Sequence, residues 1–200
     1  MLVHARLDAS SVNGPDRRAV LFMQGCRLDC KGCWNPRTHA LVGDKCGGVE
    51  ELARWIVDCR ESSGISGLTL SGGEPMHQAP ELLSLAQKVR TAIPDLSFGM
   101  FSGYSESELD GGSYWTIAET DADLRRSVWQ ELRRHLDFAV LGRYNDQQRT
   151  ADPLRTSRNQ VVRLYSPRYS EADFCPPEVE VSIESELVSI TGFPLAGLPF

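Results

Sequence analysis

Two periods of apolar residues alternate along the first 141 residues of the chain. Short, continuous apolar runs have the length of buried strands. They occupy residues 18–23, 67–70, 96–101 and 137–141. Between these runs, apolar residues recur at the spacing of amphipathic helices. The helical segments are 49–58, 81–90 and 123–136. A leading strand is expected over 4–12, before the Asn-Gly-Pro turn at 13–15.

Strands that alternate with helices in this way predict a parallel sheet with right-handed crossovers. The units are too few to close an eight-stranded barrel, so we expect an α/β fold with an open, partial barrel. Loops that carry candidate chemistry follow three of the strands, at 26–34, 71–75 and 102–104. Because parallel strands place their sites at the carboxyl edge, these loops should meet there.

The end of the chain has a different pattern. Residues 179–183 alternate strictly between apolar and polar, and 187–190 can pair with them as an antiparallel hairpin. We therefore divide the chain into a main domain, 1–166, and a C-terminal extension, 167–200. Two roles for the extension stay open: it shapes substrate specificity, or it covers an apolar edge of the core.

Composition and charge exclude several classes of protein. The chain has 200 residues, of which 41% are hydrophobic and 24% charged, as in a globular domain. Its net charge of −6 disfavours a nucleic-acid partner, which needs a basic surface. Residues 1–6 do not begin a signal peptide, and no apolar stretch is long enough for a membrane span. We therefore expect a cytoplasmic protein, in a compartment that keeps thiols reduced.

The main chemical signal is the spacing CxxxCxxC, formed by Cys26, Cys30 and Cys33. Three thiolates are one short of the four irons of a [4Fe–4S] cube, which leaves one iron open for a ligand. Structural zinc usually takes four ligands, and His39 lies far along the chain for a fourth. Three cysteines cannot all pair as disulfides. The other cysteines, Cys46, Cys59 and Cys175, are scattered and are expected to be ordinary thiols.

The cysteine motif and its surroundings resemble a known family. Trp34 follows the third cysteine, and the flanking stretches 12–15, 21–26 and 33–36 are similar to the activating proteins of anaerobic ribonucleotide reductase. These are glycyl-radical-enzyme activases of the radical S-adenosylmethionine superfamily, and the similarity extends to about residue 164. The resemblance implies a (βα)6-type partial barrel, a [4Fe–4S] cluster and S-adenosylmethionine. It also implies a glycyl radical enzyme as partner and an electron donor such as flavodoxin or ferredoxin.

Within this resemblance, the cluster ligands are Cys26, Cys30 and Cys33, and further residues contact S-adenosylmethionine. Reduction by the cluster cleaves this cofactor to methionine and a 5′-deoxyadenosyl radical, so no catalytic residue is expected beyond the cysteines. A flat indole at Trp34 suits stacking against adenine, although a core position is the alternative. Gly32 would let the backbone pass close to the ligand.

Two strand-end loops complete the expected cofactor site. Gly72, Gly73 and Glu74 resemble the family's Gly-Gly-Glu motif, whose backbone meets the methionyl amine, and Glu74 could instead orient the turn. Ser102 opens a Ser-Gly-Tyr similar to the activases' Thr-Gly-Tyr, near the ribose or the carboxylate; a plain strand-to-helix turn is the alternative. Residues 155–160 resemble an Arg-Gly-Ser-Ser-Asn-Gln segment of the family, with departures at Thr156 and Arg158.

Three functions remain for comparison. The first is an activase that abstracts hydrogen from a glycine of a partner enzyme, because an open barrel admits a large loop. The second is a radical S-adenosylmethionine enzyme for a small molecule or peptide, such as a 7-carboxy-7-deazaguanine synthase-like enzyme, with the extension as a wall of the site. The third is an electron-transfer or iron-sensing protein, which would leave the Gly-Gly-Glu motif unused. A glycyl radical on a partner separates the first two.

Overall fold

The computed structural model describes residues 1–42, 47–152, 154–174, 179–184 and 187–192. It has a mixed α/β fold with a six-stranded sheet and a separate two-stranded hairpin. The sheet strands are β1 (Val3–Ser10), β2 (Arg18–Met23), β3 (Gly67–Gly72), β4 (Ser97–Ser102), β5 (Phe138–Leu141) and β6 (Val161–Leu164). The hairpin strands are β7 (Val179–Glu184) and β8 (Leu187–Gly192). The helices are α1 (Val49–Ser63), α2 (Ala79–Ala92), α3 (Glu106–Asp110) and α4 (Ala122–Arg133).

The strands of the sheet lie in chain order, and the four in the middle, β2 to β5, are parallel. This confirms the predicted strand–helix units. Both edge strands are antiparallel to their neighbours, which the sequence analysis did not predict. The link from β1 to β2 is a short turn, and a turn of that length can join only antiparallel strands. The six-stranded sheet therefore contains four parallel strands rather than six repeated units.

The helices begin and end where local sequence signals place them. Gly64 ends α1 in the left-handed region with φ of 64°, a conformation that favours glycine. Ser105 and Glu108 form a capping box at the start of α3. The buried side of α1 presents Leu52 and Ile56 to the core. No helix in the described part of the chain is both long and apolar enough to cross a membrane.

A buried arginine closes the amino end of the parallel strands. Arg18 is 0% exposed and donates from Nε to the hydroxyl of Thr69 at 2.8 Å and from Nη1 to the hydroxyl of Tyr169 at 3.3 Å. Its guanidinium also lies 5.1 Å from the ring centre of Phe138. Phe174 packs against the same ring at 5.5 Å. Residues 169–174 therefore cover the end of the sheet opposite to the predicted site.

The hairpin of β7 and β8 confirms the predicted antiparallel pair. Its contacts with the main domain lie at the turn between β1 and β2. The carboxylate of Glu180 accepts a hydrogen bond from the N–H of Ser11 at 3.3 Å, and the hydroxyl of Thr191 accepts one from the amide of Asn13 at 2.9 Å. This turn precedes the first residue of β2, whereas the cysteine loop follows the last residue of β2. These contacts therefore hold the hairpin at the amino end of the strands.

Phe174→Ala should lower the free energy of unfolding by about 3 kcal/mol, since it leaves a cavity beside Phe138. Val181→Ala is the matched control, because Val181 is 56% exposed. Chemical denaturation of the two variants and the wild type measures the difference. Equal small losses in both variants would show that the segment around Phe174 is not part of the core.

Candidate functional site

The three predicted loops meet at the carboxyl edge of the sheet. The cysteine loop leaves β2, and backbone hydrogen bonds tie its first residues to the loop after β3. The N–H of Gly73 donates to the carbonyl of Met23 at 2.9 Å, and the N–H of Glu74 donates to that of Gly25 at 3.0 Å. Further along the loop, the N–H of Cys26 donates to the carbonyl of His39 at 3.1 Å. The cysteine loop is thus fixed at both its beginning and its end.

The three cysteines are free thiols, half-buried, and close enough to influence one another electrostatically. Burial raises the pKa of Cys26 to about 11, while the backbone N–H of Leu28 acts in the opposite direction. Burial also raises the pKa of Cys30. The thiols of Cys26 and Cys30 are therefore neutral until a cation replaces their protons, and bound iron supplies such a charge.

The sulfur of Cys33 accepts a hydrogen bond from the backbone N–H of Asn35, two residues further along, over 3.4 Å. The backbone N–H of Leu28 lowers the pKa of Cys26, and that of Tyr144, far away in the sequence, lowers the pKa of Cys30, both against the larger effect of burial. Hydrogen bonds to the sulfurs are typical of iron–sulfur ligation, where they adjust the properties of the cluster.

The arrangement fits a cluster better than a single metal ion. In the part of the chain that the structure describes, no three Cys, His, Asp or Glu side chains are placed to hold one ion. Ligands of a cube bind different irons and so lie further apart than ligands of one ion. The imidazole of His39 lies 3.9 Å from the carboxylate of Asp29, an acidic partner rather than a thiol. Of the other cysteines, Cys59 is buried, and Cys46 and Cys175 lie outside the described residues.

The carboxylate of Glu74 joins the loops after β3 and β4. It is 1% exposed and accepts hydrogen bonds from the N–H of Met76 at 2.9 Å, the hydroxyl of Ser102 at 2.8 Å and the N–H of Gly103 at 2.7 Å. Both oxygens are therefore used within the protein. Glu74 and Ser102, both predicted as cofactor contacts, bind each other in this structure and fix the relative position of two loops.

Gly72 and Gly73 are needed where the chain passes close to itself. A Cβ on Gly72, whose φ is 97°, would lie 2.5 Å from the backbone nitrogen of Met23. A Cβ on Gly73 would lie 2.5 Å from the carbonyl oxygen of Gly25. The sequence analysis attributed the two glycines to the approach of a ligand. The structure adds a second cause, which is the close packing of this turn against the cysteine loop.

The remaining predicted residues face the loop that follows β5. The ring of Trp34 meets the ring of Tyr144 edge-on, with 6.2 Å between their centres. Gly32 has φ of 71°, and a Cβ there would lie 3.0 Å from a carboxylate oxygen of Asp146. The sequence analysis did not connect this loop with the cysteines.

An aromatic cluster beside the cysteine loop was also missed. His77 is fully buried, and its Nε2 lies 3.1 Å from the hydroxyl of Tyr104. The ring of His77 packs edge-on against Trp115 at 4.9 Å, and Arg27 lies over Trp115 at 4.3 Å. Burial lowers the pKa of His77 to about 4, and the charge of Arg27 lowers it further in the same direction. His77 is therefore neutral at neutral pH.

Glu74 should give the cluster-free protein a specific dependence of stability on pH. Burial raises the pKa of its carboxyl from 4.5 to about 7, against the opposing N–H donors of Met76 and Gly103. The folded state therefore holds the proton more tightly than the unfolded chain. This contribution to the free energy of unfolding falls as pH rises from about 4.5 to about 7, by on the order of 3 kcal/mol.

The test compares wild type with Glu74→Gln, which is neutral at every pH. Because the pKa of His77 is lowered, this residue contributes a slope of the opposite sign, but it does so in both proteins. The difference in unfolding free energy between the two should therefore change over this pH range. A constant difference, measured by denaturation at several pH values, would refute the raised pKa of Glu74.

Comparison with known proteins places these features in one family. A family described as a 4Fe-4S single cluster domain matches residues 12–163. An anaerobic ribonucleoside-triphosphate reductase-activating protein of Vibrio cholerae is 33% identical over 172 residues, which span 83% of this chain and 99% of the relative. The protein of the same name from Enterobacteria phage T4 is 30% identical over 162 residues, spanning 78% and 87%. That from Escherichia coli K12 is 32% identical over 121 residues, spanning 58% and 78%.

The matched region contains the cysteine loop, the Gly-Gly-Glu turn and the loops after β4 and β5. The similarity therefore covers every part of the site that the structure brings together. The chain belongs to the family of anaerobic ribonucleoside-triphosphate reductase-activating proteins, within the radical S-adenosylmethionine superfamily.

Proposed function

We propose that the protein generates a glycyl radical on an anaerobic ribonucleotide reductase, as its relatives are named for doing. The observation that carries this proposal is the pairing of a three-cysteine loop with a Gly-Gly-Glu turn through backbone hydrogen bonds. The loop alone would suit an electron carrier, whereas the Gly-Gly-Glu turn beside it resembles the family's motif for binding S-adenosylmethionine. A bound cluster supplies the electron that cleaves S-adenosylmethionine to a 5′-deoxyadenosyl radical, which removes hydrogen from the partner's glycine.

The residues of this chain bind and orient the two cofactors. Cys26, Cys30 and Cys33 would hold the cluster. The backbone of Gly72 and Gly73 would bind the methionyl amine of S-adenosylmethionine, and Glu74 and Ser102 hold this backbone in place through their mutual hydrogen bond.

Trp34 would bind the adenosyl part of the cofactor, since it is half-buried and flat, which suits stacking on adenine. The lack of a side chain at Gly32 lets Asp146 approach the cysteine loop closely. No residue of the chain acts as acid or base, since hydrogen abstraction by a carbon radical needs none.

The architecture suits a macromolecular substrate. We propose that the six-stranded sheet, which has four parallel strands in the middle and antiparallel edges, curves into an open, partial barrel. The main domain extends over 1–166, and the extension over 167–200 stabilises the amino end of the strands. The described part of the extension contacts Ser11, Asn13 and Arg18, which lie away from the cysteine loop. These contacts favour the activase over a small-molecule enzyme with a wall built from the extension.

The free thiols require a reducing compartment, so the protein works in the cytoplasm. A flavodoxin or ferredoxin provides the electron there. No part of the proposed mechanism involves nucleic acid or a membrane.

The first test is cleavage of S-adenosylmethionine by the protein alone. Reconstituted without oxygen, the protein should hold about four irons per chain and, with a strong reductant, release methionine and 5′-deoxyadenosine. A protein that assembles the cluster but never cleaves S-adenosylmethionine would be an electron carrier, and the proposal would be wrong.

A further inference from the structure

Residues 155–160, which we call the brace, form a closed turn around the side chain of Gln160. Its amide oxygen accepts hydrogen bonds from the N–H of Thr156 at 3.0 Å, the hydroxyl of Thr156 at 2.9 Å and the N–H of Ser157 at 3.1 Å. Ser157 is 0% exposed. The brace is therefore fixed by its own hydrogen bonds and is not a loosely held surface loop.

Three side-chain hydrogen bonds join the brace to residues 142–149, which we call the β5 loop. They run from the amide of Gln160 to the carbonyl of Gly142 at 3.1 Å, from the amide of Asn159 to the carbonyl of Arg143 at 2.8 Å, and from the N–H of Asn145 to the hydroxyl of Ser157 at 3.1 Å. Because these bonds lie on both sides of Tyr144, they hold the backbone of this residue at a defined place.

The β5 loop contacts the cysteine loop on both sides of Cys33 in the sequence. The ring of Tyr144 meets the ring of Trp34 edge-on, with 6.2 Å between their centres. Before Cys33, a Cβ on Gly32 would lie 3.0 Å from the Oδ1 atom of Asp146. The same oxygen accepts a hydrogen bond from the hydroxyl of Tyr144 at 3.0 Å. The two contacts are therefore linked, and both depend on the position of the β5 loop.

We propose that the brace positions the adenine-binding residue of the site: it holds Tyr144 against Trp34 and so fixes the indole before S-adenosylmethionine binds. The positioning residues are those that bond to the β5 loop, Ser157, Asn159 and Gln160. This inference rests on the proposed function, in which Trp34 stacks on the adenine. A side chain that is already held in place loses less conformational freedom when a ligand binds, so the ligand binds more tightly.

The alternative role for the brace is a surface that contacts the partner enzyme. Arg158 provides a control, since it belongs to the brace but its side chain is exposed. Among the described residues, that side chain makes no hydrogen bond or ion pair. The backbone N–H of Arg158 donates to the carbonyl of Gln148 at 2.8 Å, and alanine keeps this bond. Arg158→Ala thus changes the surface and leaves the bonds to the β5 loop intact.

The experiment measures the binding of S-adenosylmethionine to the cluster-loaded protein by calorimetry, without oxygen and without a reductant, so that no cleavage occurs. Tyr144→Ala and Gln160→Ala should keep the wild-type iron content and bind about fivefold more weakly, the usual effect of having to order one side chain on binding. Tyr144→Phe keeps the ring and should bind as wild type does. Arg158→Ala should also have the wild-type affinity.

A double-mutant cycle with Trp34 separates positioning from a general structural role. Trp34→Ala should weaken binding by itself, because the stacking on adenine is lost. In the Trp34→Ala protein, Gln160→Ala should have no further effect, since the indole that the brace positions is absent. If Gln160→Ala loses its iron, Asn159→Ala takes its place in both measurements.

Wild-type affinity in Tyr144→Ala or in Trp34→Ala would overturn the inference, as would an undiminished effect of Gln160→Ala in the Trp34→Ala protein. Loss of iron in Tyr144→Ala would do so too, because the ring would then support the cluster rather than the adenine site. Failure of the proposed function is a different result, in which the wild-type protein itself binds no four-iron cluster or does not cleave S-adenosylmethionine.

Discussion

Replacement of Cys26, Cys30 or Cys33 by alanine should abolish the cluster and all cleavage of S-adenosylmethionine. A cube that already lacks a protein ligand on one iron has no spare ligand to lose. In the described part of the chain, no cluster of Cys, His, Asp or Glu side chains stands ready to replace a lost thiol. Iron content, the visible absorption of the cluster and the release of 5′-deoxyadenosine measure the loss, which should be complete.

Cys59→Ala is the matched control for these variants. Cys59 is buried in α1, and its pKa is raised chiefly by burial, so it is an inert core thiol. Its replacement should leave the iron content and the cleavage rate close to wild type, as should Cys46→Ala and Cys175→Ala. A variant at 26, 30 or 33 that keeps about four irons and full cleavage would contradict the ligand assignment.

Gly73→Val should remove both the cluster and the binding of S-adenosylmethionine. From the sequence alone, a side chain at this position would block only the ligand and leave the cluster intact. In the structure, the new Cβ would lie 2.5 Å from the carbonyl of Gly25, next to Cys26. The clash is with the backbone of Gly25, which cannot rotate away as a flexible side chain can. The cysteine loop must therefore shift to accommodate valine. We expect loss of most of the bound iron, measured after reconstitution.

Gly48→Val is the control for this prediction, because a Cβ on Gly48 would have nothing within 4 Å. It should keep the wild-type iron content and the change in the cluster's electron paramagnetic resonance signal on addition of S-adenosylmethionine. If Gly73→Val behaved in the same way as Gly48→Val, the turn would not be packed against the cysteine loop as described.

The spacing of apolar residues predicted most of the fold, because the burial of these residues determines most of its strands and helices. The strands β2 to β5 are continuous apolar runs in the interior of the sheet, and their burial makes the pattern clear. The edge strand β6 was missed, since it is largely exposed and its Val161 and Leu164 face no deep core. The role of Arg18 could not be predicted either, because its partners Thr69, Ser97 and Tyr169 come together only in the folded chain.

The features of the site are of the same two kinds. Some are set by local sequence, and others by contacts between residues that are distant in the chain. The cysteine spacing and the Gly-Gly-Glu turn are local patterns, and both could be read directly from the sequence. The hydrogen bond between Glu74 and Ser102 joins residues 28 positions apart, and nothing in either motif indicates it. The contact between the rings of Trp34 and Tyr144 is more distant still, and neither residue's local sequence indicates it.

The most direct test of the central claim is a glycyl radical on the partner. The reconstituted protein should be incubated without oxygen with S-adenosylmethionine, a reductant and the anaerobic ribonucleotide reductase of the same organism. The reductase should then give the doublet electron paramagnetic resonance signal of a glycyl radical, and neither Cys30→Ala nor omission of S-adenosylmethionine should produce it. Cleavage of S-adenosylmethionine without any radical on the reductase would contradict the account and indicate a different substrate.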